Sequence, residues 1–419
     1  MSAKASAPNI VFVHVDQMRH DAISALGNRH VSTPNIDRLI ADGTSFLRSY
    51  SANPVCCPAR ASWYTGRASS EHGVIQNQRP LLESVPDLGQ WMGARGYGCY
   101  YTGKWHIPNR RVDTSFTLLP GGHGHGEKGD PGVASVAAGF LHNYDGRRPF
   151  FLNVGFLNPH DCCYLTFAPK NPGTKFGLCG LLRDELPPAP GSFNVETGTI
   201  SREGGRWDED KVRLYNYYYY RMVEMVDAEV GRVYDSLRQS RHARNTLFIL
   251  TADHGEMGGH HNLFKKGVFY DAALRVPLVC VFGGRVEAGS RDGEHLVSGL
   301  DIPATILDYA GLEPMPGMSV AKSLRPLLKA APTNWREYVV AESNSAGGPH
   351  RAVCIQDYKA VLNRDGTASL YKLKDDPLEM RNLSEGPEHA AVLRKARGFH
   401  NEYVDRIVLH PKLRSFGKV

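Results

Sequence analysis

The sequence predicts a doubly wound α/β body followed by a smaller α+β portion, and three observations carry that expectation. Nearly continuous apolar runs, NIVFVHV at 9–15, PFFLNVGF at 149–156 and TLFILTA at 246–252, read as strands covered on both faces of a sheet. Each stops abruptly at polar chemistry: Asp16 with Gln17, Asn158 with His160, and Asp253 with His254. Helical patterns fill the intervals, so strand and helix alternate as an α/β architecture requires.

The elements follow in order. VSTPNIDRLIADG reads as a helix that Thr33 caps, Pro34 opens and Gly43 stops. In CCPARASWYTGR, Pro58 is placed to open a helix, with Cys56 just before its N-terminus, where anions bind. PDLGQWMGARG is a further helix and YGCYYTG a strand ending at Lys104. Residues 107–207, rich in Gly and Pro and poor in pattern outside 149–156, read as functional loops. Within them His123 and His125 read as a flexible rim, because a Gly-rich loop cannot hold a rigid metal-binding pair. Residues 208–238 form one long helix, with Val212, Tyr215, Tyr219, Met222, Val226, Val230, Val233 and Leu237 at steps of three and four; the run Tyr217 to Tyr220 reads as packing. DIPATILDYAG is another helix. From about 335, EYVVAES, AVCIQDYKAVLN and ASLYKLK suggest a small antiparallel sheet closed by a helix at 387–407. The expected division is therefore 1–334 for the catalytic α/β body and 335–419 for the α+β portion.

Composition excludes other classes. The chain has 419 residues, 49 Lys plus Arg against 43 Asp plus Glu, 42% hydrophobic and 22% charged residues, which excludes disordered, collagenous and coiled-coil proteins. The net charge of +6 is scattered, without the basic stripe of a nucleic-acid footprint, so no nucleic-acid partner is expected. No apolar stretch reaches the roughly 18 residues that span a bilayer, so no membrane partner is expected and the chain reads as soluble. Met1 to Pro8 lacks a signal peptide's apolar region, which reads as cytoplasmic, or as periplasmic or secreted where a leader has been removed. Eight cysteines without a CxxC pair give no disulfide framework. The vicinal pairs Cys56–Cys57 and Cys162–Cys163 stand out because they lie in loop-like sequence.

Four distant clusters end strands or open helices: Asp16 with Gln17, Cys56 to Arg60, Lys104 to His106, and Asp253 with His254. An oxygen-rich set with added imidazole suits a hard or borderline divalent cation, calcium first and manganese as the alternative. Any one cluster alone is an ordinary cap or ion-pair partner; their joint occurrence carries the weight.

Several ordered motifs over residues 9–282 resemble the type I sulfatase family of the alkaline-phosphatase-like superfamily: CxPxR then TG, here Cys56, Pro58, Arg60, Thr65 and Gly66, together with TGKWH and TADHGEMGGHHNLFKKG. The resemblance implies an alkaline-phosphatase-like doubly wound mixed sheet with a smaller C-terminal antiparallel sheet plus helix. It also implies that a maturation enzyme converts Cys56 to formylglycine, whose hydrate supplies the nucleophile. Cys57 is out of register, and Ala59 replaces the commoner Ser. Asp16, Gln17, Asp253 and His254 are implied as metal ligands, Gln17 standing where many relatives have a second Asp.

A sulfate ester is a monoanion that resists anionic nucleophiles, so its oxygens must be neutralised and its leaving alcohol protonated. The resemblance assigns the oxygens to the metal, Lys104 and Lys266, the hydrate to Arg60, general-acid work to His160, and the base that collapses the sulfated hydrate to His106. His261 is a further sulfate-side candidate. The substrate rim is expected from Arg110, Arg206 and His350, a cationic set that fits a sulfated carbohydrate ahead of a simple aryl sulfate. The competing readings are a phosphonate monoester or phosphodiester hydrolase, a sister group on the same scaffold, an arylsulfatase, and a glycan binder that has lost turnover.

Overall fold

A computed structural model describes residues 7–165, 185–194, 196, 199–201, 205–344 and 350–410. Its largest sheet has eight strands in the order Ser290–Asp292, Thr44–Phe46, Leu278–Val281, Thr246–Ala252, Asn9–Asp16, Phe150–Pro159, Gly98–Gly103 and Thr117–Leu118. The strands beginning at 246, 9, 150 and 98 are neighbours and parallel, so their carboxyl ends share one edge. Leu278–Val281 runs antiparallel beside them, which makes the sheet mixed.

The apolar runs form strands because both faces are covered. Val11, Val13 and Val15 join one core with Leu39, Val133, Ala137, Val223, Val226 and Val230, from the helices Pro34–Asp42, Gly126–Asn143 and Glu209–Gln239. Ile10 and Phe12, with the opposite parity, join a second core with Trp63, Tyr64, Ile302 and Ile306, from Cys56–Thr65 and Asp301–Ala310. Each fully buried side chain of this kind contributes about 1.5–3 kcal/mol of transfer free energy. The long helix begins where Asp208 accepts from Lys211 N at 2.9 Å, an N-cap that satisfies one orphan donor.

Three local expectations are corrected. The Gly/Pro-rich stretch read as loops contains the 18-residue helix Gly126–Asn143. Its glycines, which weaken helix propensity, serve close packing against the preceding loop: a Cβ on Gly132 would lie 2.9 Å from Gly122 N, and one on Gly122, at φ +59°, 2.0 Å from Gly129 O. His125 is not on a flexible rim but at that helix's N-cap, its Nδ1 3.4 Å from Asp161 Oδ1. Cys56 is the first residue of its helix, not the residue before it, and is buried.

The strands Tyr338–Ser343, His350–Ile355, Tyr358–Leu362 and Ala368–Lys372 form an antiparallel sheet in sequence order. Helix Ala390–Arg406 covers one face, where Ala396, Tyr403 and Val404 meet Val340, Val353 and Leu370. The other face packs Val339, Ala341, Ala352 and Cys354 onto Tyr50, Phe269, Leu274 and Leu296 of the large body. Among the described residues no helix is long and apolar enough to cross a membrane, and the seven cysteines are unpaired.

Candidate active site

The common edge of the four parallel strands collects the polar residues that end them, where ligands bind in open α/β sheets. Asp16 closes the first strand, Lys104 follows the fourth, His160 follows Phe150–Pro159, and Asp253 and His254 follow Thr246–Ala252. Helix Cys56–Thr65 delivers Cys56 and Arg60, and all ten of its residues are buried. A Cβ at Gly155 would meet Lys104 O and His14 Cε1 at 2.6 Å, so the Lys104 backbone can approach only because that residue is glycine.

Arg60 braces the acids. Its Nη2 donates to Asp16 Oδ2 at 3.0 Å, its Nε to Asp253 Oδ2 at 2.9 Å, and its Nη1 to Lys104 O at 2.9 Å. Lys104 Nζ adds a 2.6 Å ion pair to Asp16 Oδ2. Burial works to raise the Asp16 carboxyl, but Lys104 and Arg60 outweigh it and hold the group well below the usual carboxylate range.

With the Oδ2 atoms engaged, the Oδ1 atoms turn inward: His254 Nε2 lies 4.0 Å from Asp16 Oδ1 and 3.7 Å from Asp253 Oδ1. Cys56 Sγ is 3.1 Å from His254 Nε2 and 3.9 Å from Asp16 Oδ1. His254 Nδ1 lies 2.8 Å from Gly255 O, and because a carbonyl only accepts, Nδ1 carries a proton, which leaves Nε2 as the ring nitrogen that a cation in the cluster would take. Two carboxylate oxygens, an imidazole nitrogen and the Cys56 side chain, with ligand atoms within 4.8 Å of one another, fit a divalent cation. Burial alone would lower His254, yet Asp253 and Cys56 raise it to about 9, so the pocket draws positive charge. For Cys56, His254 and Lys266, aided by a hydrogen bond from His106, overcome burial and Asp16 and lower the thiol to about 6.

Gln17 lies beside this set. Its backbone N donates to Asp253 Oδ1 at 3.0 Å, while its amide turns to Lys266, which donates to Oε1, and to Glu256, where Nε2 donates to Oε2 at 2.5 Å. Gln17, His106 and Lys265 all adopt left-handed φ, +67°, +60° and +70°. For side chains with a Cβ this strain is retained only where the surroundings over-determine it. Hydrogen bonds to the Cys56 and Cys57 thiols raise His106 to about 9 against burial and Lys104. His160 is lowered to about 3 by burial and by Lys104 and Lys266, with Asp16 opposing, and its Nδ1 has no partner among the described residues.

The rim candidates part company with this cluster. Arg110 is a correction: its side chain is buried, donating to Asp87 Oδ2 at 2.7 Å and to Val85 O at 3.0 Å, which spends the guanidinium on structure. His261 stacks on Tyr270 at 3.8 Å, lies 2.8 Å from Leu378 O, and lines a separate cavity of about 470 Å³ with Arg19, His20 and His260. His350 lines a cleft of about 350 Å³ with Gly267, Phe269, Tyr270 and Tyr371, next to Lys266 in the chain. Arg206 falls in the short strand Gly205–Trp207.

Other residues at the site are silent in the sequence. Buried Glu256 accepts from Gln17, from Gly258 N at 3.0 Å and from Lys265 N at 2.6 Å, tying Gln17 to the lysine loop. Tyr219, from the run read as packing, donates to Gln17 O and accepts from Arg19 N, both at 2.9 Å. His14 meets Arg60 Nη1 at 3.2 Å and is kept well below its ordinary range by burial and then Arg60. Its only sequence signal is a polar residue inside an apolar strand.

Comparison with known proteins places this geometry. The family described as "Sulfatase" matches residues 8–312, and the one described as "N-sulphoglucosamine sulphohydrolase, C-terminal" matches residues 259–402. A delta 4,5-hexuronate-2-O-sulfatase of Bacteroides thetaiotaomicron is 27% identical, over 95% of this chain and 89% of its own. The structure of a 2-O GAG sulfatase superimposes with a TM-score of 0.84 and 25% identity, covering 98% of this chain and 96% of that one. A phosphonate monoester hydrolase of Agrobacterium radiobacter, 24% identical with a TM-score of 0.76 over 96% of both chains, shares the fold. With its model matching most of the chain and its motif residues gathered at one sheet edge, the family is established: this chain belongs to the sulfatases, sulfuric ester hydrolases.

Proposed function

We propose that this protein hydrolyses a sulfate ester of a carbohydrate, with Cys56 converted to formylglycine by a maturation enzyme. The observation that carries the reading is the convergence of Asp16 Oδ1, Asp253 Oδ1 and His254 Nε2 around Cys56 Sγ, with Lys104 and Lys266 at its sides. The hexuronate sulfatase and the 2-O GAG sulfatase, each similar over most of its length, support a sugar sulfate.

Asp16, Asp253 and His254, with Gln17 alongside, would hold a divalent cation, calcium or manganese, that supplies Lewis-acid polarisation of the sulfuryl oxygens. Lys104 and Lys266 bind those oxygens and neutralise their charge before reaction, which is electrostatic preorganisation. Arg60 holds both acids in place and, with Lys104, keeps Asp16 ionised, and Cys56, within its electrostatic reach, presents the converted side chain's oxygen from the helix start. His160 delivers a proton to the leaving alcohol. His106 removes one from the converted side chain so that sulfate departs; conversion removes the Cys56 thiol contact that helps raise it and leaves the one to Cys57. The cleft that His350 shares with Gly267, next to Lys266 in the chain, supports a sugar contact for His350, whereas His261 lines a separate cavity.

The test is kcat/KM for matched sulfate and phosphonate esters, first of 4-nitrophenol and then of a disaccharide. The reading predicts that sulfate leads, more so on the sugar. A phosphonate preference of orders of magnitude would replace it with phosphonate monoester hydrolysis.

A further inference from the structure

The mechanism leaves unused a second vicinal pair, Cys162 and Cys163, on the 3₁₀ turn His160–Tyr164. Cys162 is buried and Cys163 half-buried. One amide group, Gln17 Nε2, reaches both sulfurs, at 3.4 Å and 3.2 Å, and Cys163 Sγ also lies 3.5 Å from Gln17 Oε1. Successive side chains on a strand point to opposite faces; here the turn and the shared donor bring both sulfurs to the same side.

We propose that Cys162 and Cys163 form a two-thiol site for a trivalent arsenical of the R–As=O class, and that its occupancy stops turnover at the adjoining catalytic centre. Thiol sulfur is a soft donor and selects soft, thiophilic partners. A metal cation held by protein alone would ask for four donors. Among the described residues the one cluster of three or more His, Cys, Asp and Glu donors is that at Asp16, Cys56, Asp253 and His254, and Glu256 Oε2 is 4.0 Å from Cys162 Sγ. A trivalent arsenical carries its own third substituent and needs only two sulfurs. Two S–As bonds form and the As=O bond breaks. Both thiol protons leave with that oxygen as one water, and arsenic stays trivalent.

The coupling to catalysis runs through Gln17. Its amide spans the thiols on one side and Glu256 and Lys266 on the other, and its backbone N holds Asp253 Oδ1. Arsenic on the sulfurs occupies the space and the lone pairs that the amide uses, so Gln17 and Lys266 must shift.

The experiment treats metal-loaded protein, carrying Cys57→Ala and with Cys56 converted, with phenylarsine oxide, and reads intact mass and sulfate-ester turnover together. The expected result is one adduct per chain and at least a tenfold loss of rate, reversed by 2,3-dimercaptopropanol but not by 2-mercaptoethanol. Cys162→Ser and Cys163→Ser should each lose the monothiol-resistant adduct, with rates compared to each variant's own untreated sample. If Cys162→Ser fails to fold, the half-buried Cys163→Ser decides alone. No adduct on the parent, an equal adduct on Cys163→Ser, or an adduct with full turnover would overturn the proposal. The mass readout is independent of which ester the enzyme prefers, so it separates this site from the proposed function.

Discussion

His160 is set by its surroundings. Burial with Lys104 and Lys266 lowers it to about 3, so it is neutral in the free site. In the proposed reaction, a sulfate monoanion between the two lysines would offset their charge and let the imidazole take up the proton that it then gives to the leaving oxygen. His160→Ala should therefore cut turnover of alkyl sulfates by about 10²–10⁴-fold and that of 4-nitrophenyl sulfate far less, because a good leaving group needs little protonation. An equal loss on both substrates would contradict the general-acid role. Asp253 divides its work, Oδ2 to Arg60 and Oδ1 inward. Asp253→Asn should lower the bound divalent metal measured by elemental analysis, and unchanged metal content would remove Asp253 from the ligand set. Residues that act across the chain by hydrogen bonding, such as Glu256 to Gln17 at a separation of 239 positions, leave no local pattern to read.

At the scale of elements, legibility followed burial. Strands covered on both faces show themselves as apolar runs, and the long helix as a stripe that ends at its Asp208 cap. Helix Gly126–Asn143 escaped because Pro131 and its glycines, needed for close contact with 121–124, are the residues that ordinarily signal a loop. Its apolar positions, Val133, Ala134, Ala137 and Leu141, do keep helical spacing. Arg110 misled for the opposite reason: a charge in a loop is usually solvated, and here a buried Asp87 claims it. Short helix Ser69–His72 makes a pH prediction. Glu71 caps it by accepting from Ala68 N at 2.9 Å, and also from Val408 N at 3.0 Å; burial raises it from 4.5 to about 7. Between those values the folded chain keeps a proton that the unfolded chain has released, so this group makes stability fall as pH rises from 4.5 to 7. Glu71→Gln should flatten that part of the thermal midpoint's pH profile; an unchanged slope would contradict the assignment.

Across the whole molecule, the small sheet is bound to the body by an apolar face and by one buried charge cluster. Lys359 Nζ, fully buried, lies 2.6 Å from Asp271 Oδ1 and 2.7 Å from Glu379 Oε1, joining the C-terminal sheet to the segment just beyond Lys266. Removing one side of such a cluster leaves buried charge uncompensated, at a cost of about 3–5 kcal/mol. Lys359→Met should lower the denaturant midpoint accordingly; a loss below about 1 kcal/mol would show the seam held by its apolar face alone.

The central claim is that a converted Cys56 works inside a cation-binding cluster to cleave sulfate esters. Its most direct test is mass spectrometry of the peptide spanning residues 50–67 from protein made alongside an active maturation enzyme, read against the sulfatase rate of the same sample. The account predicts an aldehyde or its hydrate at Cys56, with Cys57 unmodified and turnover in proportion to the converted fraction. Full sulfatase turnover from protein whose Cys56 remains a thiol would contradict it.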